Sequence, residues 1–290
     1  EEAPLRDARL CALLRIGAVS KGEGSLGTEN AMTEIPTTRR LDGHSALITG
    51  AGVGMGRSHA LALAEAGAAI VVQDIVAETA EETAGLVRER GAKAHVMVCD
   101  ISDVAAVNAG VEAARADLGP IDILVNNAGI SGGMAKFDDI DEAYFDRVVA
   151  IHLKGTFFAA KAVLPDMRAK GWGRIVNVSS IDGMVGCPSS AHYCAAKAGV
   201  LGLAKAWAKE FAPWGITVNA VAPGYIDTPM MDGLLDDAGK AAHVAARIPL
   251  GRMGVAADLT AAIAFLVSEE AGFITGQTIS PNGGEVIVGF

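Results

Sequence analysis

The 290-residue chain has no run approaching the roughly 18 consecutive apolar residues that a membrane-spanning helix needs, so no such helix is expected. Basic residues are outnumbered: 24 Lys and Arg stand against 34 Asp and Glu, a formal charge of −10. A surface that neutralises phosphate backbones or anionic lipid needs clustered cations, so neither nucleic acid nor a membrane is an expected partner. Only four cysteines occur, Cys11, Cys99, Cys187 and Cys194, none in C-x-x-C spacing. A disulfide framework is therefore not expected, and the thiols fit a reducing cytoplasm. None of the six histidines sits at ligand spacing from a second histidine or a cysteine, so no metal is expected. Aromatic residues make up 5% of the chain and only three are tyrosines.

Hydrophobic residues, by contrast, make up 51%, enough for the core of one large domain. Residues 1–40 break the later pattern, with scattered charge and one short apolar run, Leu10 to Leu14. They read as a non-catalytic N-terminal extension whose acidic residues do not suit a transit peptide; Met32 is a candidate internal start. Residues 41–290 read as a single catalytic domain. From Ser45 on, short β-branched runs alternate with Ala-rich segments of helical period. Expected strands are Ala46–Thr49, Ala69–Gln73, Ala94–Cys99, Ile123–Asn126, Ile175–Val178, Thr217–Val221 and Thr278–Ser280. Expected helices are Gly54–Ala66, Ala77–Arg90, Val104–Leu118, Asp141–Ala169, Ala191–Phe211 and Ala256–Ser268. This is the pattern of an α/β protein: a Rossmann-type, doubly wound sheet of about seven parallel strands with helices on both faces. Ligands are then expected at the carboxyl ends of the strands.

The first strand runs into Gly50-Ala51-Gly52-Val53-Gly54-Met55-Gly56, and a helical pattern follows at once. Glycines there let backbone approach a ligand closely, and a helix N-terminus offers free N–H groups to a pyrophosphate. The second strand ends in Asp74, placed to accept hydrogen bonds from the adenosine ribose of a dinucleotide or, alternatively, to cap the next helix. A carboxylate there repels a 2′-phosphate. Ile75 and Val76 after it are apolar and no Lys or Arg occupies the glycine loop before Gly56, so NAD is the expected cofactor.

Of the three tyrosines only Tyr193 has a lysine four residues on, Lys197, which puts both on one helical face. Ser180 lies upstream at the end of a strand, and Asn126-Asn127-Ala128-Gly129 follows another. Together with the glycine segment, Asp100 after the third strand, and Pro223-Gly224 with Thr228, these motifs resemble the short-chain dehydrogenase/reductase family from about Leu41 to the C-terminus. The resemblance implies that Asp100 and Ile101 flank the adenine and that Asn127, Ala128 and Gly129 support the nicotinamide ribose. It also implies that Pro223, Gly224, Ile226 and Thr228 hold the carboxamide. Tyr193 is then the proton-transfer residue, Ser180 hydrogen-bonds the substrate oxygen, and Lys197 holds the ribose and favours phenolate. His152 stands where the family usually has an asparagine. It is read either as a structural substitution at a helix kink or as an added acid/base group.

The resemblance further implies a homotetramer, with Asp141–Ala169 and Ala191–Phe211 packing across one two-fold and Ile279–Phe290 across another. Substrate choice falls to the variable segments, with Ser131, Asp182, Cys187, Tyr225, Met230 and Met231 as candidate contacts. Met230, Met231, Leu234 and Leu235 have the spacing of an apolar lid or of ordinary packing. Asp182 either binds a polar group or caps a turn; Cys194 reads as helix packing rather than as a nucleophile. The expected substrate is a secondary alcohol or ketone, moderately apolar and cyclic or aromatic-substituted. An NADPH-dependent 3-oxoacyl-thioester reductase and an inactive dinucleotide-binding scaffold are the alternatives.

Overall fold

The computed structural model describes residues 41–231 and 235–288, so expectations resting on residues 1–40, Leu234, Gly289 and Phe290 lie outside it. Seven parallel strands form one sheet: β1 (Ser45–Thr49), β2 (Ala69–Asp74), β3 (Ala94–Val98), β4 (Ile123–Asn126), β5 (Gly173–Val178), β6 (Ile216–Val221) and β7 (Thr278–Ile279). Their order is β3-β2-β1-β4-β5-β6-β7. The order reverses between β1 and β4, and the crevice beyond that switch point is where such sheets bind ligands.

Alternate residues of the buried strands feed two cores. Ala46 and Ile48 of β1, Ile70 and Val72 of β2, and Val176 of β5 join α1 (Gly54–Glu65), α2 (Ala77–Glu89) and α9 (Ala256–Leu266). Leu47, Val71 and Ile175 point the other way, onto α3 (Val104–Leu118), α5 (Thr156–Lys170) and α7 (Ala191–Phe211). Both faces are covered, which is why the strands read as continuous apolar runs.

The long helix expected over Asp141–Ala169 is divided. Asp141 caps α4 (Glu142–Val149) through the Tyr144 N–H, a π-helical turn follows over Ala150–Gly155, and α5 ends at Gly171 in the left-handed region, φ 66°. Within Glu142–Lys170 an 18-residue window reaches a mean hydropathy of 1.3, the length and composition of a membrane-crossing helix although no unbroken apolar run of that length occurs. Its apolar content is accounted for by the sheet face it covers, since Ala159, Ala160, Val163 and Met167 are fully buried there. Two further helices are not among the expected ones: α6 (Asp182–Val185) and α8 (Asp237–Arg247), the latter between the expected strand Thr217–Val221 and the expected helix Ala256–Ser268. None of the described residues of α8 is buried, so it lacks the long apolar stripe that marks a core helix.

One buried contact ties α1 to α9 and carries a pH dependence. Thr260 donates to the Ala256 carbonyl (3.0 Å), so its oxygen accepts from His59 Nδ1–H (2.8 Å), which leaves His59 Nε2 buried with no partner among the described residues. Burial pushes the imidazole down to about 3 from 6.5. A folded-state value below the unfolded one means that stability is full above pH 6.5 and is lost as pH falls toward 3. Between pH 7 and pH 5 the loss from this residue alone is about 2 kcal/mol. Urea midpoints at the two pH values should differ accordingly, and His59→Asn should flatten the difference.

Candidate active site

Two adjoining cavities open at the carboxyl ends of the strands and share Met55, Asn127, Gly129, Thr228 and Met230 in their walls. In the first to be described, the chain leaves β1 through Gly50 at φ 64°, where an added Cβ would lie 2.9 Å from Ala128 Cα. A Cβ on Gly56 would collide with the Gly50 carbonyl, and Gly54 also has positive φ, 58°. Val53 caps α1 without a side-chain hydrogen bond, so the amides of the first turn stay free for an anion. The loop is tied to the end of β4: Thr49 Oγ1 accepts from Asn127 N and Ala128 N, both 3.0 Å, and Asn127 Nδ2 donates to the Thr49 and Gly50 carbonyls at 2.9 and 3.1 Å. Asn127 Oδ1 is left buried with no hydrogen-bond partner among the described residues.

Asp74 reconciles its two readings. Its Oδ2 accepts from Gly52 N (2.8 Å) and its Oδ1 from Val76 N (3.1 Å), where Val76 is the N-cap of α2. It therefore braces both the glycine loop and the following helix, while still lining the cavity beside Ile75 with lone pairs to spare. Gly52 itself does not line the cavity; a Cβ there would sit 2.7 Å from Asp74 Oδ2. Farther along the wall lie Asp100, Ile101, Ala128 and Gly129. Asp100 Oδ1 accepts from Ser102 N and Oγ, at 2.8 and 2.7 Å, which holds the carboxyl below its usual range. Gln73, Arg57 and Arg147 were not anticipated. Gln73 links Gly50 N to the Cys99 carbonyl, Arg57 holds the Gly52 carbonyl and Glu82, and Arg147 pairs with Asp100 at the cavity wall. An isolated polar residue in an apolar strand gives a signal for Gln73; the two arginines leave none. Bare backbone, free helix amides, an orphan acceptor and a ribose-side carboxylate suit a nicotinamide dinucleotide.

The second cavity gathers Ser180, Tyr193 and Lys197. Ser180 follows β5, and the other two lie one turn apart on α7, with Lys197 Nζ 5.6 Å from the Tyr193 ring centroid. Lys197 is buried, donates to the Val178 carbonyl (2.9 Å), and is pushed down to about 7 by that burial. Burial pushes the Tyr193 phenol up; the Asp182 charge adds to this and a hydrogen bond from Ser180 opposes it. Ser180 Oγ accepts from Asp182 N (3.1 Å), so its own proton is free to point at Tyr193 or at a substrate oxygen.

His152 occupies the π-helical turn and lines the same cavity. Its Nε2 lies 2.9 Å from the Ile130 carbonyl, its ring meets Tyr193 edge-on with centroids 5.2 Å apart, and Nδ1 is buried without a partner among the described residues. Burial, followed by the Lys197 charge, holds the imidazole well below its ordinary value, so it is neutral. The His152 carbonyl accepts from Thr156 Oγ1 (2.8 Å).

Pro223, Gly224, Ile226 and Thr228 line this cavity, as do Ser131, Asp182, Cys187, Tyr225, Met230 and Met231. Gly132 brings the loop after β4 onto Tyr193, where an added Cβ would fall 2.5 Å from the tyrosine Cβ. Tyr144, unmarked in the sequence, fastens that loop by donating to the Gly132 carbonyl (2.6 Å). Cys194 Sγ accepts from Cys187 N (3.2 Å), and both thiols are free and raised by burial. Among the described residues no three His, Cys, Asp or Glu side chains are grouped to hold a metal.

Residues 50–285 match the family model described as enoyl-(acyl carrier protein) reductase. The chain is similar to a cis-4-hydroxycyclohexanecarboxylate dehydrogenase of Sinomonas cyclohexanicum, with 44% identity over 84% of this chain and 96% of that one. It is 40% identical to a 3-oxoacyl-[acyl-carrier-protein] reductase of Haemophilus influenzae, over 84% and 98% of the two chains. A solved gluconate 5-dehydrogenase of Burkholderia cenocepacia J2315, in complex with NADP and tartrate, superposes with a TM-score of 0.81 at 40% identity, covering 85% and 96%.

Proposed function

Because the chain belongs to the short-chain dehydrogenase/reductase family and is an oxidoreductase of that kind, we propose that it interconverts a secondary alcohol and a ketone with NAD(H). The observation that carries this reading is the convergence of Ser180, Tyr193 and Lys197 on one cavity that adjoins the glycine cradle. The loop Gly50–Gly56, Asp74 and Asn127 hold the dinucleotide, which when bound supplies the hydride acceptor or donor. In alcohol oxidation Tyr193 takes the hydroxyl proton, and in ketone reduction it returns it. Ser180 donates its hydroxyl proton to the substrate oxygen in both directions, while its oxygen accepts from Asp182 N. Lys197, its ammonium nitrogen 5.6 Å from the Tyr193 ring centroid, favours phenolate when it is protonated. His152 shapes the wall behind Tyr193 and takes no proton, because its buried ring stays neutral.

The second reading, reduction of a 3-oxoacyl thioester with NADPH, is favoured by the name of the Haemophilus influenzae relative; Asp74 weighs against it. Initial rates with a panel of secondary alcohols, ketones and 3-oxoacyl thioesters, each with NAD(H) and NADP(H), separate the two. Turnover of thioesters with NADPH alone would replace the leading reading. The cytoplasm remains the proposed location. A homotetramer is the proposed assembly, and exposed Phe145 and Phe157 on α4 and α5, with Ile287 near the C-terminus, are the apolar surfaces it would cover. Light scattering at micromolar concentration should give four times the 29.6 kDa chain mass.

A further inference from the structure

The catalytic cavity has two formally charged side chains in its described wall, Lys197 and Asp182. Lys197 is committed to the Val178 carbonyl and to Tyr193. Asp182 is not committed: its backbone N–H serves Ser180, but its carboxylate has no hydrogen bond and no ion pair among the described residues. Arg247 is the cation whose charge reaches it, and that guanidinium is paired with the buried carboxylate of Glu285 at 3.3 Å. The titratable groups that feel Asp182 are Tyr193 and Cys194 of α7, Cys187 of the preceding loop and Tyr225 after β6. Glu285 adds further negative charge near Cys187 and Tyr225. The carboxylate is half-buried yet reached from the cavity, so it is open to a donor that a ligand brings in.

We propose that Asp182 is a specificity-determining residue, which accepts a hydrogen bond from a second, donating group on the substrate, a hydroxyl or an ammonium, and turns away substrates that carry a second anion. The proposal rests on the alcohol–ketone reading above and adds the class of alcohol: a diol or amino alcohol rather than a hydroxy acid. The same carboxylate adds to burial in raising the Tyr193 phenol, because its charge opposes phenolate.

The test uses one ring with four substituents: cyclohexanol, cyclohexane-1,4-diol, 4-aminocyclohexanol and 4-hydroxycyclohexanecarboxylate, each with NAD. With the unmodified protein the diol or the amino alcohol should exceed cyclohexanol by about tenfold in kcat/KM, one hydrogen bond to a charged acceptor, and the carboxylate should fall below it. Diol and amine arms identify which donor is used. Asp182→Asn keeps the shape and the N–H to Ser180. It should shrink the donor advantage through KM, raise kcat/KM for the carboxylate about tenfold, and move the rise of alcohol oxidation with pH to lower pH. An unaltered order of the four substrates in Asp182→Asn overturns the proposal.

A readout independent of turnover separates its failure from that of the alcohol–ketone reading. Cys187 lines the same cavity and feels the same charge. The ratio of its alkylation rates by iodoacetate and iodoacetamide, followed by peptide mass spectrometry, should rise about fivefold in Asp182→Asn as repulsion of the anionic reagent is removed. A steady ratio shows that Asp182 sets no field in the cavity and overturns the proposal even if no alcohol in the series is turned over.

Discussion

Tyr193→Phe should lose all but a trace of turnover, with kcat down by about 10²–10⁴-fold, while the cofactor dissociation constant moves only a few-fold. The phenol oxygen is the one group in the cavity that both faces Ser180 and lies on the helical turn of Lys197. Removing it leaves the ring packed against His152 and Gly132, so the cavity keeps its shape and the loss is chemical. Lys197→Ala differs in kind. It deletes the amine beside the Tyr193 ring, whose charge when protonated favours phenolate, so the rise of alcohol oxidation with pH should shift to higher pH, and cofactor binding should weaken as well. Stopped-flow rates with fluorescence titration of the cofactor separate the two effects. More than a tenth of the activity remaining in Tyr193→Phe, or an unchanged cofactor affinity in Lys197→Ala, removes the assigned roles.

These residues were legible in the sequence because each combines a rare type with a fixed spacing at the end of a periodic element. Tyr193 and Lys197 are one turn apart on a helix whose bounds the apolar period gives correctly, Ala191 to Phe211. All seven strands were legible for a related reason: both sheet faces are covered, so their apolar runs are uninterrupted. What stayed hidden depends on contacts between distant segments. Arg147 reaches Asp100 across 47 positions and Tyr144 reaches the Gly132 carbonyl from a separate helix. The π-helical turn at Ala150–Gly155 follows no local propensity; it places His152 against Ile130, with the following Gly155 fitted closely on Ile101. α8 escaped because none of its described residues is buried.

Cofactor choice is where the proposed reading parts from its rival, and the proposal of NAD rests on Asp74. Its carboxylate is pinned from two sides by Gly52 N and Val76 N, so it cannot swing out of the cavity to admit a phosphate. Arg57, the cation that directly follows the glycine loop, is already held by the Gly52 carbonyl and by Glu82 at 2.7 Å, and is not free to receive one. With NAD, the lone pairs left on Asp74 accept one or two charge-assisted hydrogen bonds from the ribose hydroxyls. With NADP those bonds are lost and like charges meet within a few ångströms. Each tenfold preference is about 1.4 kcal/mol, and the two effects together supply two or three such factors. NAD should therefore be preferred by about a hundredfold or more in kcat/KM. Asp74→Ser should shrink that preference from both ends, weakening NAD and relieving NADP, and should also loosen the glycine loop by removing the brace on Gly52. Outright reversal to NADP would require an added Arg or Lys. Comparable use of NADP and NAD by the unmodified protein, as the NADP-bound gluconate dehydrogenase relative makes worth measuring, would end the ribose role of Asp74 and return weight to thioester reduction.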